Sequence, residues 1–448
     1  MKSTPARMRQ ILLVTVTALF IALLAPPPCG AIAPVERFVL PNQLVVLVSE
    51  EHSLPFVTFE LLVDAGARRD PSQKGGLANL TAESILLGTK NRPISEVNEI
   101  LDHMGTTLKV SCGWDFASIS FRSLKKELEQ GFALFMEALT EPAFPEAELQ
   151  REKQAILGSI QSAKDDPMDT ARKEFRKIVF VNSPYDHPVE GTEESVPLLT
   201  RERVKEFYEA YYQPGVSILA VAGDITVEEV KEKIVPGLTL WKGKKVADTS
   251  VATKFAEGPK KSLIDRPITQ ANIVMGHGGI ERSNPDYYAV SVMNRILGGS
   301  SLSSRLAEVI RVKNGLAYSV YTAFHAQKYP GTFQLVLQTR NASAGEAIRL
   351  AIGEMERMRK EMVSTQEIET AKKYLIGSFP LRLNTQSNLA SFLAQAEYFG
   401  LGLDYPERYP SLIRTVTRED ILRVARQYLR PDNYILAIVG NQQEIKIP

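Results

Sequence analysis

The sequence predicts an α+β fold in which one domain, an antiparallel sheet packed by helices, occurs twice in tandem. Tyr211-Tyr212-Gln213-Pro214, followed by Ile218-Leu219-Ala220-Val221-Ala222-Gly223-Asp224, recurs 217 residues later as Tyr428-Leu429-Arg430-Pro431 and Ile435-Leu436-Ala437-Ile438-Val439-Gly440-Asn441. A second echo sets Glu148-Leu149 and Ile156-Leu157-Gly158-Ser159 against Glu367-Ile368 and Tyr374-Leu375-Ile376-Gly377-Ser378, 219 residues on. Two independent matches at nearly one spacing mark an internal duplication. Short apolar runs of strand type also alternate with longer stretches of helical spacing.

The start of the chain carries Lys2, Arg7 and Arg9, then an apolar run over residues 11–25, then Pro26-Pro27-Pro28-Cys29-Gly30-Ala31. A basic start, a run too short for a comfortable membrane span and small residues after it are expected of a signal peptide over residues 1–31, cleaved after Ala31. An uncleaved anchor is the alternative. The first domain is expected over residues 34–240. Residues 38–40 and 44–48 flank Pro41-Asn42-Gln43 as a hairpin, and residues 57–63 form a third strand. Helices are expected at 77–86, at 94–104 with Gly105 as its stop, at 125–139, at 147–162 before Asp165-Asp166-Pro167, at 170–180 and at 201–212. Residues 107–110, 116–121 and 216–222 read as strands. The charged stretch 241–262 is poor in large apolar residues and reads as a surface linker. The second domain is expected over residues 263–446, with a strand at 271–275.

Of 448 residues, 44% are hydrophobic and 23% charged, which suits soluble globular domains with real cores. The formal charge of +1 falls to −2 once Lys2, Arg7 and Arg9 are removed, so neither nucleic acid nor an anionic membrane surface is an expected partner. Cys112 is then the only cysteine, and no intrachain disulfide is possible. An exported chain, periplasmic and without a stable membrane span after cleavage, is the expectation.

Chemistry is expected first on the helix that follows Gly75-Gly76-Leu77-Ala78, where Asn79, Ala82 and Glu83 share one face. The stretch from this Gly-Leu-Ala to Gly88-Thr89 resembles the insulinase/pitrilysin family of zinc peptidases, which includes the mitochondrial processing peptidases. In that family the helix carries an inverted zinc motif, H-x-x-E-H, with two histidines as ligands and the glutamate as general base. Those places fall here on Asn79, Glu83 and Ala82. The family's third ligand, a glutamate about seventy-six residues on, falls on Ser159. An amide and a hydroxyl are poor zinc ligands, and an alanine moves no proton. No metal is therefore expected in this chain.

In the second half, Gly298-Gly299-Ser300-Ser301-Leu302-Ser303-Ser304-Arg305 leads to Arg311-Val312-Lys313-Asn314-Gly315-Leu316-Ala317-Tyr318. The resemblance implies that this R-x6-Y pair, Arg311 and Tyr318, holds the substrate carbonyl and stabilises the oxyanion across a closed chamber. A guanidinium is always charged and a phenol donates a hydrogen bond, so a rigid pair can do this. Some bacterial members of the family are split into two chains, one bearing the zinc motif and the other the Arg/Tyr pair, and this chain resembles the second kind. The resemblance implies a duplicated fold like that of the mitochondrial processing peptidases. It also implies a heterodimer with an H-x-x-E-H subunit of similar size, zinc in that partner, and an extended peptide as substrate.

Other chemistry is not supported. His52, His103, His187, His277 and His325 are too far apart for a local metal motif. No G-x-S-x-G or phosphate loop occurs. Gly276-His277-Gly278-Gly279 follows a strand without opening a helix, and Cys112 reads as a buried thiol. Three readings stay open: a non-zinc subunit of a heterodimeric peptidase, inactive alone; a catalytically inactive binding or scaffold protein; and a self-sufficient peptidase with an unrecognised metal site at Glu83.

Overall fold

The computed structural model describes residues 34–71, 74–181, 183–244, 246, 253–300 and 302–447. The expected signal peptide and the middle of the expected linker lie outside them. In the first half, β1 (Val35–Val39) and β2 (Val45–Glu50) form the hairpin, and β3 (Phe56–Val63) follows. Then come α1 (Leu77–Ser84), α2 (Ile94–His103), β4 (Thr107–Cys112), β5 (Ala117–Leu124), α3 (Leu128–Thr140) and α4 (Glu146–Ala163). The half is completed by α5 (Pro167–Val179), α6 (Arg201–Tyr211) and β6 (Ser217–Gly223). A helical stretch over residues 227–240, with a π turn at Val230–Ile234, carries no sequence expectation because Pro236 and Gly237 interrupt its spacing.

The second half runs β7 (Lys260–Asp265), β8 (Gln270–Gly278), α7 (Tyr287–Leu297), the π-helical α8 (Ala307–Lys313), β9 (Ala317–His325) and β10 (Thr332–Arg340). It continues with α9 (Ala344–Lys360), α10 (Thr365–Ser378), α11 (Gln386–Tyr398), α12 (Tyr405–Arg414), α13 (Arg418–Tyr428) and β11 (Ile435–Gly440). Strand β7 begins inside the stretch expected as linker. Phe255 of the same stretch packs on Phe180, with ring centroids 5.6 Å apart.

The two sheets repeat one plan. The first has the order β1-β2-β6-β3-β5-β4 and the second β7-β11-β8-β10-β9. Most neighbouring strands pair antiparallel, as expected, and one pair in each sheet is parallel: β2 with β6, and β7 with β11. In each half the last strand returns through helices and inserts between the first strands, a connection long enough to permit a parallel pair.

The halves also exchange a helix. Helix α5 of the first half lies on β8 and β11 of the second sheet, where Ala171, Phe175 and Val179 bury with Val274, Ile435, Ala437 and Val439. Helix α11 of the second half lies on β3 and β6 of the first sheet. The central strands are therefore covered on both faces, and this is why β3, β6 and β11 read as nearly unbroken apolar runs. In β11, Leu436 and Ile438 enter the core of their own half while Ile435, Ala437 and Val439 face α5. Each buried side chain of this size contributes roughly 1.5–3 kcal/mol, so neither half is complete without the other's helix.

Candidate functional site

Helix α1 starts from a built cradle. Gly76 adopts φ 95°, which a side chain disfavours, and a Cβ there would meet the Glu190 carbonyl oxygen at 2.8 Å. The buried Asp70 carboxylate accepts from the Gly76 and Ala78 amides at 2.8 and 2.7 Å, supplying partners that the first turn of a helix lacks. His187 Nε2 lies 3.1 Å from the same carboxylate, and Ser195 Oγ donates to the Gly75 carbonyl at 2.7 Å. The frame of the motif helix is thus held in place by residues far along the chain.

Its chemistry is not that of a zinc site. Ala82 is fully buried, Asn79 and Glu83 are half-buried, and Ser159 on α4 is exposed. The group that acts on Glu83 is Glu152, two helical turns before Ser159. Burial first, and then the negative charge of Glu152, hold the Glu83 carboxyl above its ordinary range. Burial raises Glu152 as well. Behind them, burial and the charges of Asp70 and Glu83 push the Cys112 thiol well up. The Tyr212 hydroxyl is buried without a hydrogen-bond partner. Two carboxyls that burial makes harder to ionise, an amide, a methyl and a hydroxyl do not make the nitrogen and carboxylate set that zinc takes in this kind of site. Among the described residues no group of three or more His, Cys, Asp or Glu side chains is placed to hold a metal.

The second constellation comes together in space. Helix α8 ends at Lys313, and Gly315, with φ 60°, turns the chain into the edge strand β9. The Gly315 amide bonds the Arg311 carbonyl at 3.2 Å and the Leu316 amide bonds the Ile310 carbonyl at 2.9 Å. This turn sets the Arg311 guanidinium carbon 5.6 Å from the centre of the Tyr318 ring, within cation–π reach. Tyr318 is 78% exposed, as are Leu302 at 71% and Val312 at 62%. A phenol and two apolar side chains therefore face outward from one stretch of chain, beside the half-buried guanidinium of Arg311.

Sequence reasoning missed a polar junction between the halves. Asp64 at the end of β3 and its neighbour Asp115 receive Arg68 and Arg69 from the first half, the latter at 2.8 Å. From the second half Lys328 Nζ lies 3.5 Å from Asp64, and its amide donates to Asp115 at 2.9 Å. The hydroxyl of Tyr398, the last residue of α11, is 3.2 Å from both Asp64 Oδ1 and the Asp115 carbonyl. Burial opposes the charge on Asp64, but Arg68, Lys328 and Arg69 outweigh it and hold the carboxyl below its usual range. Its members are scattered from residue 64 to 398, so no local pattern announces it.

The histidines do not converge. His52 is exposed and paired with Asp224 at 2.7 Å, while His187 serves the α1 cradle. His277 is buried, with Nδ1 2.8 Å from the Gly278 carbonyl and Nε2 accepting from the Arg430 amide at 3.1 Å.

Two family profiles match the chain, "Insulinase (Peptidase family M16)" over residues 45–193 and "Peptidase M16 inactive domain" over residues 198–375. An uncharacterized zinc protease of Streptomyces coelicolor is 25% identical, over 93% of this chain and 92% of its own. A protein of Helicobacter pylori named non-peptidase homolog YmxG is 25% identical, over 90% and 93%. Among solved structures, a peptidase M16 inactive domain from Pseudomonas fluorescens superposes with a TM-score of 0.85 at 26% identity, over 92% of this chain and 99% of that one. A protease from Helicobacter pylori, at 19% identity, shares the fold with a TM-score of 0.84 over 92% and 100%.

Proposed function

The chain belongs to the peptidase M16 (insulinase) family, and on that premise we propose that it is the non-zinc subunit of a heterodimeric peptidase. In this reading a partner of similar size brings the H-x-x-E-H helix and its zinc. This chain brings Arg311 and Tyr318, which hold the substrate carbonyl and the charge that develops on it. The observation that carries the reading is an asymmetry: the motif helix keeps its cradle but has lost every ligand, whereas the Arg311–Tyr318 pair is assembled on an exposed face. Substrate is an extended peptide that adds to an open sheet edge, of which β9, bearing Tyr318, is one. The basic and then apolar start of the sequence supports export to a periplasm. Among the described residues no helix is long and apolar enough to cross a membrane.

One relative's printed name, a non-peptidase homolog, favours a second reading, an inactive binding or scaffold protein. Affinity purification from native extract, followed by peptide-cleavage assay with and without a chelator, separates the two. A co-purifying H-x-x-E-H chain with chelator-sensitive activity supports the first. A chain that elutes alone, without zinc or activity, supports the second.

A further inference from the structure

A cavity of about 1100 Å³ opens between α5, strands β9 and β10, and the loop over residues 186–194. Two arginines one turn apart on α5 reach it. Arg172 Nη2 donates to the Tyr321 hydroxyl at 2.6 Å. Arg176 lies with its guanidinium carbon 3.9 Å from the centre of the Trp114 ring and donates to the Tyr185 carbonyl at 3.1 Å. His325 lies on the same face of β9 as Tyr321, four residues on.

The lining carries five Lys or Arg and six Asp or Glu side chains, and they pair unevenly. Among the described residues, the lining's carboxylates are engaged elsewhere: Asp169 and Glu190 with Lys173 at 3.0 and 2.8 Å, Glu193 with Lys164, Glu174 with the Ser262 hydroxyl, and Asp186 with His187. Exposed Glu194 stands with Thr192. Among the described residues no carboxylate forms an ion pair with Arg172 or Arg176, and Glu190 acts on Arg176 only through its charge. Burial pushes Arg176 down to about 10, and burial with the charges of Arg176 and Arg172 pushes His325 down. Arg172 and Arg176 each spend a donor on an uncharged oxygen, that of the Tyr321 hydroxyl or the Tyr185 carbonyl, and their remaining N–H groups suit a ligand that brings a carboxylate.

The size and lining indicate what kind of ligand. The cavity exceeds the needs of a small ion, and Trp114, Ile160, Ile264 and Val336 give it apolar wall beside its polar donors. Strand β9, which supplies Tyr321 and His325, is hydrogen-bonded on one side only, and an extended chain adding to it would run past both arginines.

We propose that this cavity is a carboxylate subsite for peptide, in which Arg172 and Arg176 hold an acidic side chain or the C-terminal carboxylate of an extended peptide. Trp114 orients Arg176, and the Tyr321 hydroxyl, accepting from Arg172, turns its own proton toward the ligand. The inference rests on the peptide reading above and adds a substrate class to it.

The test is binding to the full chain, read by calorimetry, with two peptide pairs. One pair ends in a free carboxylate or an amide; the other carries Glu or Gln at one internal position. Loss of the preferred carboxylate is expected to weaken binding about 10- to 100-fold, as for a charge-assisted contact removed, and the pair affected says which source the site takes. Arg172→Gln and Arg176→Gln should each weaken the carboxylate peptide and erase the preference. Arg172 is exposed, so its variant carries the test if the Arg176 variant fails to fold. Equal binding of charged and neutral peptides by the unaltered chain, or a preference that survives both substitutions, overturns the subsite and leaves the peptide reading standing. Failure of every peptide to bind overturns both.

Discussion

The Arg311 guanidinium carbon stands 5.6 Å from the centre of the exposed Tyr318 ring. Six residues of sequence lie between them, and the left-handed turn at Gly315 closes that distance. If the pair works on a partner's substrate, Arg311→Ala and Tyr318→Phe each cut peptide turnover by the assembled complex about 10²- to 10³-fold. Co-elution with the partner is unchanged. Normal turnover in both variants would falsify the proposed role.

Asp70 holds the start of α1 through two backbone amides and His187. Asp70→Ala leaves those amides buried and unpaired, at a cost of about 1–3 kcal/mol. The check is urea unfolding: the midpoint falls while the slope stays the same. An unchanged midpoint contradicts the cradle.

Glu83 faces Glu152 in a partly buried site, and its carboxyl is held above its ordinary range. The folded chain therefore binds this proton more tightly than the unfolded chain does. Its contribution to stability falls as pH rises from about 4.3 through the folded value. Glu83→Gln is expected to be more stable than the unaltered chain at pH 7 and to lose that advantage below about pH 4. Glu152→Gln should act alike, and the double variant should gain less than the sum. Thermal melts across pH decide it, and a Glu83→Gln chain less stable at pH 7 refutes the repulsion.

His277 is pushed down to about 4 by burial, against an ordinary value near 6.5. Between these values the unfolded chain binds the proton and the folded chain does not, so stability falls as pH is lowered from about 6.5 to 4. The loss from this one residue reaches about 3 kcal/mol. In His277→Gln that part of the pH dependence should vanish, whatever the variant loses from the ring contact with Phe333 at 4.9 Å. Denaturant midpoints at pH 7, 5.5 and 4 for both chains give the comparison.

Much of the fold was legible because its signals are local. Apolar runs of strand length marked β2, β3 and β5, helical spacing ended by Asp165-Asp166-Pro167 marked α4, and Gly105, with φ 60°, marked the end of α2. The frame of α1 and the spacing of Arg311 and Tyr318 were legible for the same reason. Glu152 was missed because counting residues to Ser159 gives a position along a helix and not the neighbour that acts across it. The seven-residue step between them was the available signal.

By itself the sequence determined the duplication, most of the order of strands and helices in the first half, the loss of the family's zinc ligands at Asn79, Glu83 and Ser159 and of its general base at Ala82, and the survival of Arg311 and Tyr318. Each is a matter of residue type at a fixed spacing. Only the tertiary structure decided the parallel pairs β2–β6 and β7–β11, the exchange of α5 and α11, the junction around Asp64, and the meeting of Arg172 and Arg176 with Trp114, Tyr321 and His325. Those rest on surfaces that become adjacent only when the halves close on each other. An apolar stripe such as Ala171, Phe175 and Val179 states that it will be buried, but not against which sheet.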